Sequence, residues 1–274
     1  MDFIFFHFND FQITTQNSDW GNFGSFVGGV AGALFSFLTI LLLVLTLKKQ
    51  NDAFLLNQFD SSFFNLLKIQ NDIRSELTIE GISYYLDDGT HTDSKVMKGR
   101  DVFELLSNHL INIYESLDEL VLHVGAVKGT AYTNNLSKIN RLYKIDKNMH
   151  RESKNLSDLE KSKKAYFIVF NKHINKIGHY FRHLFNILTF IEDFSKKQSS
   201  PKQQKEILDK YSKLVQAQLS VAELLLLFYN GLLFPKMKKA INTFNLIENL
   251  KEKNLIRNTH KEFYRVKIKP PVKI

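Results

Sequence analysis

Four side chains open the search for chemistry: His179, Arg182 and His183 within GHYFRHLF, and Glu223 within VAELLLLFYN. Glu223 stands at the edge of a run, LLLLF, that is apolar on every side of a helix and therefore has to be buried. A buried carboxylate without a partner is very costly, so Glu223 requires a cation, and Arg182, His179 and His183 are the candidates. The pairing has two readings: a structural ion pair, or a catalytic acid or base whose pKa burial has moved. His179 and His183 are four apart and could share a metal ion, but Arg182 between them repels a cation, so no metal site is expected. The chain has no cysteine, which removes thiol nucleophiles, disulfides and thiolate metal sites. No Walker loop or HExxH motif is present, and no cofactor is expected.

The elements that must position these groups are helical. The segment INKIGHYFRHLFNILTFIEDF carries a core stripe of Phe170, Ile174, Ile177, Phe181, Leu184, Leu188 and Ile191. Asn175, His179, Arg182, Asn186 and Thr189 form a polar stripe at the same spacing. Helices are predicted at about 100–124, 131–150, 160–196, 201–233 and 236–250. Ser200-Pro201 supplies an N-cap and first-turn proline for the fourth, and Asp158 caps the third. The segment EGISYYLDDGTHTDSKVMKG breaks the helical pattern, and its Asp88-Gly89 signals a short β-hairpin. Pro270-Pro271 predicts an extended end.

Upstream lies a different kind of segment. From Trp20 to Leu47 there is no charged residue, and about 20 apolar residues at ~1.5 Å rise suffice to cross a bilayer core. Asp2, Asp10 and Asp19 precede the run and Lys48-Lys49 follow it, which keeps the C-terminal side cytoplasmic and makes the lipid bilayer the first partner. No helix breaker occurs from 34 to 80, so the membrane helix is expected to continue through Phe59, Phe63, Leu66, Leu67, Ile69 and Ile73. Gly24, Gly28, Gly32 and Ser36 lie on one ridge of this helix, a groove suited to close helix association and hence to a homo-oligomer. The fold class is mainly α: a tail over 1–20, a transmembrane helix over 21–47, a cytoplasmic all-α helical domain over 48–250 with a small hairpin excursion, and a basic tail over 251–274. The net charge of +9 is concentrated in 137–164 and in that tail. Beside a membrane span this reads first as contact with anionic lipid, with nucleic acid as the second reading.

The ordered combination of WGNFGSFVGGVAGALFSFL, NQFDSSFFNLLKIQNDI, KGRDVF, GHYFRHLFNILTFI and AQLSVAELLLLFYNGL resembles the putative phage abortive infection protein family, the AbiC-like proteins, over most of the chain from Trp20 to about Leu250. The resemblance implies a bacterial, membrane-anchored antiviral defence protein that answers a phage-derived trigger. It marks Phe63, Phe64, Arg100, His179, Tyr180, Arg182, Gln218, Ser220, Glu223, Tyr229 and Asn230 as signature positions. The chain departs from the family pattern at Gln70, where histidine is common, and at Gln216, where a basic residue is common.

Two functions follow from this reading. The first is a sensor or effector in the bacterial inner membrane that acts by helix rearrangement or oligomerisation. The second is a membrane-tethered nuclease of the HEPN type, which needs an arginine followed four to six intervening residues later by histidine. None of Arg74, Arg100, Arg141, Arg151, Arg182, Arg257 and Arg265 has that spacing, so the sequence assigns no enzymatic activity.

Overall fold

The computed structural model describes residues 17–81, 95–118 and 131–264. The chain divides into two compact units, 1–60 and 61–274. In the first unit the helix α1 starts at Asn17, and α1 runs without interruption to Glu76 in the second unit. Across its apolar segment no part of the most apolar window is buried, and Phe26, Leu34, Phe35, Phe37 and Ile40 are all exposed. A core helix of a soluble domain would be covered along such a run. This one is an apolar helix of membrane-spanning length, compatible with a single-pass anchor.

Among its described residues the second unit is a helical assembly with a small hairpin. After α1, strands β1 (Thr78–Glu80) and β2 (Val96–Lys98) pair antiparallel in the register Thr78↔Lys98, Ile79↔Met97 and Glu80↔Val96. The expected hairpin is therefore present, while its Asp88-Gly89 turn lies outside the described residues. Gly99 sits at φ +56°, a conformation open to glycine at little cost, and there the chain turns into α2 (Arg100–Asp118). Then follow α3 (Ala131–Tyr143), α4 (Lys147–Ser153), α5 (Asp158–Lys172), α6 (Ile174–Lys196), α7 (Pro201–Gln216), α8 (Val221–Leu233) and α9 (Pro235–Thr243).

Helix α8 is the centre of the unit: every residue from Glu223 to Leu232 is buried, as its all-round apolar character requires. It packs against α2, α5 and α9, and each fully buried Leu or Phe on it contributes about 1.5–3 kcal/mol. Gly231 makes the α8–α9 approach possible. A Cβ there would overlap the Tyr264 hydroxyl, lie 2.7 Å from Ile241 Cδ1 and 3.3 Å from the Lys238 Cα. The first part of the basic C-terminal segment folds onto this core, with Leu255, His260 and Tyr264 buried and the Tyr264 hydroxyl donating to the Phe228 carbonyl at 2.6 Å. Pro270-Pro271 lies outside the described residues.

The helices are shorter than the periodicity predicts, and the breaks before α4 and before α8 have local causes. The expected helix over 131–150 ends at Lys144, whose φ is +57°, and restarts at Asp146, whose side chain accepts from the Met149 amide at 2.8 Å. The expected helix over 160–196 is two, joined at His173 (φ −113°, ψ 16°). That over 201–233 is also two, because Ser220 and Glu223 form a capping box that starts α8 afresh. The cap of α5 is Ser157 rather than Asp158: its side chain accepts from the Glu160 amide while Glu160 reaches back to the Ser157 amide. Ser200 caps α7 with Pro201 in the first turn, as expected. Helix α9 ends at Thr243, short of the expected boundary at 250, with Asn245 at φ +49° just beyond it, and short 3-10 turns follow at Glu252–Asn254 and Asn258–Phe263.

Candidate functional site

Glu223 is fully buried, and its carboxylate is the meeting point of three donors. Oε1 accepts from the Tyr180 hydroxyl at 2.6 Å and from Arg74 Nη1 at 3.3 Å, and Oε2 accepts from the Ser220 amide at 2.7 Å. Arg74 also donates to the Gln218 carbonyl at 2.8 Å and to the Asn71 side chain. The cation beside Glu223 is therefore Arg74, on the last turn of α1, and not Arg182, His179 or His183. Helical geometry gives the reason. Tyr180 faces α8 from α6, and a residue two positions on is turned about 200° around the helix, so Arg182 faces away. Arg182 and His179 are exposed.

A second layer supports Tyr180. The Gln70 amide nitrogen donates to the Tyr180 carbonyl at 3.4 Å, which turns its oxygen towards His183 Nδ1 at 2.8 Å. His183 therefore carries its proton on Nδ1. Burial holds its imidazole below the ordinary histidine range, and it enters the cluster as a neutral donor. The Tyr180 hydroxyl is pushed well above its usual pKa, first by burial and then by the Glu223 carboxylate, so it stays protonated and donating. Phe63 packs edge-to-face on Tyr211 at 4.9 Å, one helical face along from Gln70 and Arg74.

The remaining signature positions separate into groups. Ser220 is the cap of α8, and Gln218 serves through its backbone oxygen. The buried Tyr229 hydroxyl meets His260 Nδ1 at 2.8 Å, and Asn230 donates to the Tyr166 hydroxyl at 2.8 Å. Phe64 and Arg100 are exposed. Arg182 and Asn230 line an apolar groove of about 330 Å³ with Phe181, Phe185, Phe234 and Lys236. The two departures from the family pattern are both occupied by working amides: Gln70 as described, and Gln216, which donates to the Phe244 and Asn245 carbonyls at 3.3 and 2.9 Å. In the first unit, nothing lies within 4 Å of a Cβ placed at Gly24, Gly28 or Gly32.

Arg74, Asn71 and Gln70 are the members that the sequence reading did not find. Phe63, Leu67, Gln70 and Arg74 follow the i, i+4, i+7, i+11 pattern of one helical face, all turned inward to differing degrees. A polar pair continuing a buried apolar stripe was the available signal. Chemically, the cluster is closed: three donors converge on a carboxylate with no solvent exposure. Among the described residues no group of three His, Asp or Glu is placed to hold a metal ion.

No curated protein and no solved structure matches the chain. Residues 172–255, which span α6 to α9 and hold Tyr180, His183, Ser220 and Glu223, match the family described as "Putative phage abortive infection protein", and the match supports a phage-defence role.

Proposed function

We propose that the protein is a membrane-anchored phage-defence protein in which α1 joins a bilayer anchor to a buried polar lock. The observation that carries this reading is the continuity of α1: one helix bears an uncovered apolar segment and, in its last turn, the Arg74 held by Glu223. A trigger that disturbs the Arg74–Glu223–Tyr180 cluster changes what holds the end of the anchor helix. Lys48 and Lys49, against the acidic N-terminal flank, support a single pass through the bacterial inner membrane with the helical unit cytoplasmic. The open glycine ridge supports pairing of α1 with a second copy.

The test is phage challenge of cells expressing the full chain, with membrane potential and total RNA followed together. Early depolarisation with intact RNA is the expected result. Gly28→Leu with Gly32→Leu should leave the protein in the membrane while protection falls, because the substitutions fill the groove without lowering hydrophobicity. A chain starting at Asn51 should lose protection. Undiminished protection by that shortened chain, or RNA cleavage ahead of any depolarisation, would overturn the proposal in favour of a cytoplasmic enzyme.

A further inference from the structure

Away from the Glu223 cluster, a cavity of about 420 Å³ opens between the hairpin and the α5–α6 junction, a volume in the range of small-molecule sites. Its polar wall is Lys172, His173 and Lys176, and its apolar wall is Ile79, Val96 and Leu142. His109 also reaches it, although almost wholly buried, as does Glu80. Lys172 and Lys176 make no ion pair with any described residue. Lys172 is poised over the Tyr143 ring, its Nζ 5.8 Å from the centroid.

Behind the lysines runs a chain of three groups. Tyr143 Oη is 2.8 Å from His109 Nδ1 and 3.0 Å from His173 Nε2. A tyrosine hydroxyl has one hydrogen, so one imidazole receives it and the other must donate its own N–H to the same oxygen. The chain consequently has two registers. In one, His173 accepts from Tyr143 and carries its proton on Nδ1; in the other, it donates through Nε2 and leaves Nδ1 as a lone pair. Burial, together with Lys172 and Lys176, holds His173 down to about 4, and burial with His173 holds His109 down to about 3, so both rings are neutral. An anion beside His173 selects the first register, because only that register offers it a donor.

We propose that this cavity binds a small soluble phosphate ester, with Lys172 and Lys176 neutralising the phosphate, His173 donating from Nδ1, and Ile79, Val96 and Leu142 covering the organic part. The three donors, Lys172, Lys176 and His173, match the three free oxygens of a phosphate monoester, whereas a carboxylate offers only two. Glu80, which lines the same cavity from β1, disfavours a second phosphate and so favours a monophosphate over a polyphosphate.

Isothermal titration of the full chain in nanodiscs of zwitterionic lipid, with AMP as the probe, tests this. Saturable binding is expected, with inorganic phosphate competing and adenosine at least ten-fold weaker. Lys172→Gln with Lys176→Gln, both at exposed positions, should weaken AMP at least ten-fold. His173→Gln should weaken it as well, and in the parent chain the His173 ring should titrate at higher pH once AMP is bound. The proposal fails if AMP and inorganic phosphate give no saturable heat. It fails equally if the double lysine variant binds AMP unchanged, or if only nanodiscs containing phosphatidylglycerol engage the two lysines.

Discussion

Replacing Arg74 by alanine should unfasten the end of α1 and leave a carboxylate in the core without its cation. The Glu223 side chain has no exposure and Arg74 only 12%, so the pair is desolvated on one side and nearly so on the other. Breaking a buried pair costs about 3–5 kcal/mol. Here Tyr180 and Ser220 still donate to the carboxylate at 2.6 and 2.7 Å, which lowers the expected loss to about 2–4 kcal/mol. Glu223→Ala removes all three acceptor contacts and strands the buried Tyr180 hydroxyl, for a loss of about 4 kcal/mol. The double variant should lose about 1.5–3 kcal/mol less than the sum, the signature of groups that touch. Arg182→Ala, at an exposed position, should stay within about 0.5 kcal/mol of the parent. Urea unfolding of the full chain in mild non-ionic detergent, followed by circular dichroism, measures all four. Strict additivity of Arg74→Ala and Glu223→Ala would refute the pairing, and so would an Arg182→Ala loss as large as that of Arg74→Ala.

Acidification should weaken the helical unit through His109, whose folded pKa of about 3 lies below that of the unfolded chain. The unfolded chain takes up the proton first, so the contribution is complete above about pH 6.5, falls as pH drops, and levels off near 3; at pH 5 about 2 kcal/mol of it has been lost. A pH series of the same urea curves reads this, and His109→Gln should lower its slope between pH 6.5 and 4, with His173 and His260, both held to about 4, supplying the remainder. Gly231→Ala should cost about 1–3 kcal/mol by displacing the Tyr264 hydroxyl and crowding Ile241, and a melting temperature equal to the parent's would show that α8 and α9 are not in close contact. Ser220→Ala and Ser157→Ala each remove a capping box. The first should cost about 1–2 kcal/mol and the second, in an exposed setting, about 0.5–1, with equal losses arguing against the burial of the α8 start.

The class of fold was legible because its signals are periodic and redundant: a long uncharged run for α1, all-round apolarity for α8, and an interrupted pattern with Asp88-Gly89 for the hairpin. The breaks between helices were legible only in part. Ser220 and Glu223 at the capping-box spacing announce the start of α8, yet the surrounding apolar period runs through them and conceals the break. The bend at His173 carries no glycine or proline. Its compensation is the bond from the His173 ring to Tyr143, 30 residues away, and no local pattern encodes that. The need of Glu223 for a cation followed from burial alone. Which cation answers it depends on which of several arginine-bearing helices packs there, and this is decided by tertiary contacts between α1, α6 and α8.

The Arg74–Glu223 contact joins residues 149 positions apart. Ribosomes add about 5–20 residues per second, so something on the order of ten seconds separates the synthesis of its two halves. The carboxylate end is ready as soon as it appears, since Ser220 and Glu223 cap α8 between themselves. The arginine end must wait on a helix made far earlier, with its guanidinium holding Asn71 on its own turn. The contact therefore works as a completion mark: the last turn of α1 stays unfastened in every nascent chain that has not yet reached α8, and a chain truncated before residue 223 would never fasten it.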